Sequence, residues 1–135
     1  MEKIAQDKIE EIAKKYDLKL LLLFGSQVSG KTHPMSDFDF GYIGKKDMSY
    51  QEKSSLDDDL SRLVKGEADT VDLRNAGSLL KYEIIKNNEI LYDAENKYEY
   101  FFVQTLQEYF ESKKLFVMQD NIIANKINEF RKIYA

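Results

Sequence analysis

The segment Leu20–Ile43 constrains the fold of this chain more than any other part of the sequence. An apolar run, Leu20–Phe24, ends abruptly at Gly25-Ser26, and ten residues later Asp37-Phe38-Asp39 begins a second apolar run. Each run is short and rich in residues that favour strands, and a glycine or a polar residue bounds it. The segment therefore predicts two neighbouring strands with a turn at the end of the first and two acids at the start of the second.

The second run has the two-residue period of a strand with one face in the core. Side chains of a strand point alternately to opposite faces, so Asp37 and Asp39 are expected on one face with Gly41 and Ile43. The other face is aromatic and consists of Phe38, Phe40 and Tyr42. Burial of this aromatic face would hold both carboxylates on the opposite one.

The rest of the chain predicts helices around a small sheet. Apolar residues at helical spacing predict helices over 2–16, 50–65, 79–86, 95–114 and 122–134. Short apolar runs predict strands over 18–24, 37–43, 68–73 and 89–92. Ser49 and Glu52 form a capping box before the second helix, and Gly66 ends it. The order predicts an α/β (α+β) fold with a small mixed sheet flanked by helices.

Length and composition exclude several classes of protein. A chain of 135 residues is expected to form one globular unit, with residues 1–92 as the core and residues 93–135 as a helical extension that could face a partner. The net charge of −4 argues against binding of polymeric nucleic acid. No apolar run reaches the roughly 20 residues of a membrane span. The amphipathic N-terminus and the absence of cysteine favour the cytoplasm.

The acids of the second strand suit a metal–nucleotide complex. Alternate residues of a strand lie roughly 6–7 Å apart and point the same way, and a hard cation relieves the repulsion between two such carboxylates. Mg²⁺ takes one or two carboxylates together with substrate phosphates. Gly25 would let a phosphate approach the backbone, and the Ser26 hydroxyl could donate to it. Either motif alone would usually be a surface turn or a solvated acid pair.

The combination resembles the DNA polymerase β-like nucleotidyltransferase superfamily, whose motif is Gly-Ser, about ten residues, and then Asp-x-Asp. Gly25-Ser26 and Asp37-Phe38-Asp39 match that spacing. The short chain resembles the minimal nucleotidyltransferase (MNT) branch, and so does the segment FGSQVSGKTHPMSDFDF. This branch includes MntA-type antitoxins of HEPN/MNT toxin–antitoxin pairs. The resemblance covers residues 1 to about 92 and implies the polymerase β-like fold, followed by C-terminal helices.

The resemblance also implies a third carboxylate on a later strand, and two residues compete for this role. Alignment backwards from Leu79-Leu80 places Asp69 at the catalytic position, whereas the flanking residues Val71 and Leu73 favour Asp72. The positions of the two aspartates differ by three, an odd number, so a regular strand places them on opposite faces. Asp69 is the first choice and Asp72 the second.

What the resemblance implies is transfer of AMP from ATP with Mg²⁺ held by Asp37, Asp39 and Asp69, and with the triphosphate held by Gly25 and Ser26. The acceptor would be a tyrosine hydroxyl of a cognate HEPN toxin, bound in a hetero-oligomer and neutralised by the transfer. Two alternatives stay open. One is an antitoxin that acts by binding alone, and the other is transfer to a small-molecule acceptor.

Other features have simpler interpretations. His33 and Lys31 lie in the loop between the two motifs, where exposure to solvent is more common than contact with a phosphate. Arg74 could lie near the nucleotide or on the surface. The run Asp57-Asp58-Asp59 predicts a solvated helix face, because consecutive helical residues fan around the axis. The aromatic stripe from Tyr98 to Phe110 predicts core packing, with partner recognition as the alternative.

Overall fold

A computed structural model describes residues 4–25, 28 and 37–134. Within these ranges the elements, in chain order, are α1 Gln6–Lys15, β1 Leu18–Phe24, β2 Phe38–Gly44, α2 Tyr50–Val64, β3 Ala68–Asp72, α3 Ser78–Lys86, β4 Asn88–Asp93 and α4 Lys97–Tyr134. The predicted positions Ser26, Lys31 and His33 lie outside the described residues. All four predicted strands are present, with bounds that shift by one residue or less.

The four strands form one mixed sheet in the order β3-β2-β1-β4. Strand β1 lies antiparallel to both β2 and β4, and β2 lies parallel to β3. A parallel pair needs a long crossover, and α2 supplies it here. The predicted fold class, a small mixed sheet with flanking helices, is confirmed.

The two faces of the sheet bury different sets of side chains. The first face packs against α1 and α2 through a cluster that includes Leu21, Leu23, Phe40, Tyr42 and Leu56. The second face packs against α3 and α4 through Leu20, Leu22, Leu73, Ile84, Ile85 and Phe101. Because β1 contributes to both clusters in alternation, it reads as an unbroken apolar run in the sequence.

The aromatic face of β2 lies in the first cluster, as its alternation predicts. Phe40 is fully buried, Tyr42 is 4% exposed, and Phe38 packs against the same cluster. Gly41 and Ile43 point to the second face, where a Cβ on Gly41 would meet the side chains of Leu73 and Leu22.

Helix α2 begins and ends close to the predicted positions. The Ser49 hydroxyl accepts from the Glu52 N–H, and the Glu52 carboxylate accepts from the Ser49 N–H, so the predicted capping box is present. Lys65 adopts the left-handed conformation with a φ of 54°, and Gly66 N–H then donates to Ser61. The helix therefore ends just before Gly66.

The prediction of two C-terminal helices is wrong, because α4 is a single helix of 38 residues. The residues between the two expected helices, 115–121, contain neither glycine nor proline. Asp120 and Asn121 are weak helix formers, but each costs well under 1 kcal/mol in a helix interior. At the start of α4, the Asp93 carboxylate accepts from the Lys97 and Tyr98 N–H groups at 2.8 and 3.1 Å.

The two ends of α4 lie in different surroundings. Its first half packs on the domain, where Phe101 joins the second cluster and Tyr109 stacks on Tyr82 with ring centroids 3.7 Å apart. From residue 113 to residue 133 every described side chain is exposed. None of the described helices has an apolar stretch long enough to cross a bilayer.

Candidate active site

The site begins at Gly25, where β1 ends. Gly25 has a φ of +83°, a conformation that glycine adopts at no steric cost. A Cβ at this position would lie 2.5 Å from Asp39 Oδ2. The Gly25 carbonyl accepts from Val28 N–H at 3.1 Å, so Val28 lies close to the end of the strand. The Asp39 carboxylate therefore packs directly on the Gly25 backbone.

Strand pairing brings a second carboxylate beside Asp39. In β1 and β2, Phe24 lies opposite Asp39, and in β2 and β3, Asp39 lies opposite Asp69. Directly opposite residues on neighbouring strands project from the same face. Asp69 is exposed, and Asp37 comes immediately before β2 and is also exposed. The structure thus collects Gly25, Asp37, Asp39 and Asp69 at one end of the sheet.

The electrostatics of Asp39 reflect these neighbours. Burial raises the pKa of the Asp39 carboxyl above 3.8, and the negative charges of Asp69 and then Asp37 raise this pKa further. A bound cation would lower the pKa of Asp39 again, because its positive charge attracts the carboxylates that otherwise repel one another. The three acids therefore form a site that favours binding of a cation.

Asp72, the second candidate for the third carboxylate, lies on the other face of the sheet. It is paired in register with Tyr42, which belongs to the first cluster. Its carboxylate accepts from Arg74 N–H at 3.0 Å and from Asn75 Nδ2 at 2.9 Å. These contacts form a turn after β3, away from Asp39. The geometry favours Asp69 over Asp72 as the partner of Asp39.

Residues of α2 also reach this end of the sheet. A cavity of about 420 Å³ is lined by Asp37 and Asp69 together with Asp57, Asp58 and Glu67. The interpretation of Asp57–Asp59 as a merely solvated face is therefore incomplete. Sequence reasoning misses the approach of Asp57 and Asp58 to Asp69, because only the packing of α2 against β3 creates it.

Two of these helix acids make specific contacts. Asp57 accepts a hydrogen bond from the Thr70 hydroxyl. Asp59 accepts from the Tyr16 hydroxyl at 2.7 Å and pairs with Lys15 at 2.8 Å. Both acids therefore help to attach α2 to its neighbours, and in the described structure they are structural groups.

The described carboxylates suit Mg²⁺ only together with a nucleotide. No group of three or more histidine, cysteine, aspartate or glutamate side chains in the described ranges could hold a metal ion alone. Mg²⁺, however, keeps several waters and commonly binds through one or two carboxylates plus substrate phosphates. The acidic donor set fits that mode, with phosphate oxygens completing the shell.

The remaining candidates do not gather at this end. Arg74 donates to the Gly44 carbonyl, at the end of β2 farthest from Asp39. This position does not support its suggested role near the nucleotide. Gly25 is the one member of the predicted Gly-Ser pair that the structure describes.

Replacement of Gly25 by alanine is expected to disturb the site and the fold together. The positive φ costs roughly 1–2 kcal/mol for an L-residue, and the new methyl group would displace the Asp39 carboxylate. We expect a lower melting temperature, measured by circular dichroism, and loss of nucleotide binding, measured by calorimetry.

Gly77→Ala is the matched control for Gly25→Ala. Gly77 has a φ of −68°, and a Cβ there meets no described atom within 4 Å. The same substitution should be close to neutral, because the gain of about 0.4–1 kcal/mol from a less flexible unfolded chain opposes the cost of alanine at the N-cap of α3. Equal stability and equal nucleotide binding of the two variants would contradict the described Gly25–Asp39 contact.

Comparison with known proteins gives both a family and a fold. Residues 7–97 match the family model described as "Polymerase beta, Nucleotidyltransferase". The protein adenylyltransferase MntA of Shewanella oneidensis is 28% identical to this chain over 92 residues. That match covers 68% of this chain and 66% of the relative, so just under two thirds of the relative's length is matched.

Solved structures share the fold. A chain of a toxin–antitoxin crystallised with AMP-PNP matches with a TM-score of 0.70 and 24% identity, over 87% of this chain and 98% of that one. A chain from a complex of the tri-AMPylated Shewanella oneidensis HEPN toxin with the MNT antitoxin matches with a TM-score of 0.64 and 21% identity, over 87% and 95%.

The family match spans the four described strands and the three shorter helices except the first residue of α1, and it includes Gly25, Asp37, Asp39 and Asp69. The expected polymerase β-like fold is confirmed by the family model and the solved structures together. The chain is a member of the polymerase β nucleotidyltransferase family.

Proposed function

We propose that this chain is an Mg²⁺-dependent nucleotidyltransferase that moves AMP from ATP to a tyrosine hydroxyl of a cognate HEPN toxin, and so acts as the antitoxin in the cytoplasm. The observation that carries the proposal is the placement of Asp39, which packs on the Gly25 backbone and lies in register with Asp69. This geometry sets carboxylates beside a glycine turn, as transfer from a metal-bound triphosphate requires.

Each residue has a distinct part in the proposed reaction. The Gly25 backbone admits the triphosphate, the Ser26 hydroxyl donates to it, and Asp37 with Asp39 would hold Mg²⁺. The bound metal ions would neutralise charge on the phosphates. Asp69, exposed at the edge strand of the described sheet, would complete the metal site where the acceptor approaches. The acceptor hydroxyl gives up its proton to solvent and its oxygen bonds to the α-phosphorus. The bond from the α-phosphorus to the bridging oxygen breaks, and pyrophosphate leaves.

A protein acceptor is supported by the comparisons. The Shewanella oneidensis relative is named a protein adenylyltransferase, and one solved complex holds an AMPylated HEPN toxin with its antitoxin. A net charge of −4 disfavours polymeric nucleic acid as the acceptor. Asp57, Asp58 and Glu67 add further negative charge beside Asp69. An acceptor segment with basic residues near its hydroxyl would suit this surface.

The direct test is incubation of the purified chain with α-labelled ATP, Mg²⁺ and the HEPN toxin encoded beside it. The expected result is label on the toxin, lost when Mg²⁺ is chelated, with a mass increase of one or more AMP units on a tyrosine. Unlabelled toxin in a mixture where the chain still binds and neutralises it would contradict the proposal and favour an antitoxin that acts by binding alone. Label on a small molecule in place of the toxin would favour the other alternative.

The second half of α4 is proposed as the toxin-binding surface. One series of residues spaced by seven along the helix is entirely aromatic or aliphatic. It consists of Phe102, Tyr109, Phe116, Ile123 and Phe130. Such a repeat is typical of helices that pack along another helix. In the distal half Ile122, Ile123 and Ile127 are 47–57% exposed. Exposed apolar side chains in this number indicate a partner.

Charged substitutions on this helix face are expected to weaken binding of the toxin without changing the stability of the fold. Ile123→Glu with Ile127→Glu should weaken toxin binding at least about a hundredfold, because it places two charges in an apolar interface. The melting temperature should hardly change, since both side chains are exposed. Binding is measured by calorimetry with the toxin.

The control for this variant is Asn121→Glu with Asn128→Glu, which adds the same charge on a different side of the same helix. We expect its affinity for the toxin to stay within about threefold of the wild type. Equal affinities of the two double variants would place the toxin elsewhere on the chain.

A further inference from the structure

A second cavity, of about 280 Å³, lies on the same face of the sheet as Asp39 but at the opposite end. It is lined by the start of β1, the end of β2, the turn after β3 and the first turns of α4. Lys19, Ile43, Arg74 and Phe101 mark these four walls. Its volume is close to the lower end of the range for small-molecule sites.

This cavity is separate from the candidate active site. Phe24 lies opposite Asp39, whereas Leu20 lies opposite Ile43, so about 13 Å of strand separates the two ends. Packed side chains fill the space between them: a Cβ on Gly41 would lie 2.8 Å from Leu73 Cδ2. A ligand in the cavity would therefore not be an extension of the nucleotide at Gly25.

The lining of the cavity is strongly basic in an acidic chain. Lys19, Arg74, Lys81 and Lys97 line it, and Glu108 is the single acid among its lining residues. Lys81 pairs with Glu108 at 2.7 Å, and the Lys81 side chain is only 12% exposed. Lys97 also lies 3.7 Å from the carboxylate of Glu95, which is not among the lining residues. Lys19, Arg74 and the partly compensated Lys97 still leave an excess of positive charge in the lining, although the chain as a whole carries −4. Such a concentration of one sign attracts an anion.

A buried hydroxyl in the same wall lacks a partner. Thr105 is 1% exposed and lines the cavity, and among the described residues nothing forms a hydrogen bond with its Oγ1. Buried polar atoms are rarely left unsatisfied, and each exception calls for an explanation. A ligand oxygen in the cavity would supply the missing partner.

Part of the lining is apolar. Phe101 and Leu73 belong to the second buried cluster, and Ile43 packs against it. A ligand that carried charge alone would leave this surface in contact with water. The combination of cationic, hydroxyl and apolar walls requires a molecule with two different ends.

We infer that this cavity binds a small organic anion, with a phosphate or carboxylate head held by Lys19, Arg74 and Lys97 and a planar apolar body against Phe101. Thr105 Oγ1 hydrogen-bonds an oxygen of the ligand. The site is independent of the AMP transfer proposed above.

Phenyl phosphate is the probe that tests the site, with binding measured by calorimetry and by amide chemical shifts in the full chain. We expect saturable binding that shifts the amides of Ile43, Arg74 and Thr105 and leaves that of Gly25 unchanged. Benzoate distinguishes a carboxylate head from a phosphate head, and binding of either probe supports the site. Binding of phenol or inorganic phosphate as tight as that of phenyl phosphate would overturn the two-ended site.

Variants assign the binding to the named groups. Lys97→Gln should weaken binding of phenyl phosphate about tenfold through loss of a charge-assisted contact. Thr105→Val, which keeps the shape of the side chain, should weaken it several-fold while leaving the fold intact or more stable. Lys113→Gln, on the exposed half of α4, is the control that keeps wild-type affinity. No binding by the wild type, or equal affinity in all three variants, would overturn the inference.

Discussion

Asp39→Asn is expected to abolish AMP transfer and, in the absence of nucleotide and metal, to raise the thermal stability of the chain. The substitution keeps the shape of the side chain but removes a charge that would hold Mg²⁺ near the α-phosphate. Loss of such an electrostatic contact should lower the rate of transfer by at least about 10³-fold. The rate is measured with α-labelled ATP and the partner toxin.

The stability gain has its origin in the raised pKa of Asp39. Burial and then the charges of Asp69 and Asp37 raise this pKa in the folded chain above 3.8, so the folded state binds a proton more readily than the unfolded state. The free energy of unfolding therefore falls as the pH rises from 3.8 through the folded pKa. Above the folded pKa the Asp39 carboxylate is fully charged, and its charge then lowers the free energy of unfolding by the largest amount. The Asp39→Asn substitution should therefore stabilise the chain most at neutral pH.

The stability measurement compares melting temperatures of the variant and the wild type at pH 7 and at about pH 4. The gain should be larger at pH 7, because part of the wild-type Asp39 is protonated at the lower pH. Asp120→Asn, the same chemical change on the exposed half of α4, should change neither quantity. A variant that is less stable than the wild type at pH 7 would contradict the described repulsion.

The second large effect is expected from a comparison of Asp69→Asn with Asp72→Asn. Asp69 lies in register with Asp39, whereas Asp72 lies in register with Tyr42 on the other face. We expect Asp69→Asn to lower the rate of transfer by about 10²–10³-fold, and Asp72→Asn to leave it within about threefold of the wild type. Both rates are measured at saturating ATP.

The stability of the folded chain should be lowered by Asp72→Asn and not by Asp69→Asn. Asp72 accepts from the Arg74 N–H and from Asn75 Nδ2, so the amide of Asp72→Asn loses one charge-assisted bond, a cost of about 1 kcal/mol. Asp69→Asn removes a charge that repels Asp39 and should cost nothing. If Asp72→Asn proves the inactive variant while Asp69→Asn stays active, the assignment of the third carboxylate must be exchanged.

Much of the fold is local information that the sequence carries by itself. The alternation of Phe38, Phe40 and Tyr42 with polar or small residues has the period of a strand, and the structure buries these aromatic residues as expected. Ser49 and Glu52 mark the start of α2 through contacts within a single turn. Such signals depend on spacing along the chain, so they can be recognised without any tertiary contact.

The C-terminal helix shows where local signals mislead. Asp120 and Asn121 weaken a helix without ending it, and the sequence has no glycine or proline there to break it. The interpretation of Asp57–Asp59 as a solvated face was incomplete for a different reason, because only Asp58 is exposed. Tyr16 and Thr70, which bond to two of these acids, are distant in the sequence and meet them only in the folded chain.

The sequence alone determined the Gly-Ser and Asp-x-Asp motif, its place at the ends of two strands and the family that this spacing resembles. The tertiary structure decided that Asp69 faces Asp39, because the parallel register of β2 and β3 is set by α2 and by burial on both faces of the sheet. It also decided that Asp39 touches Gly25 and that a basic cavity forms around Thr105. These relations join residues that are far apart in the chain, and only the packing of the sheet and helices specifies them.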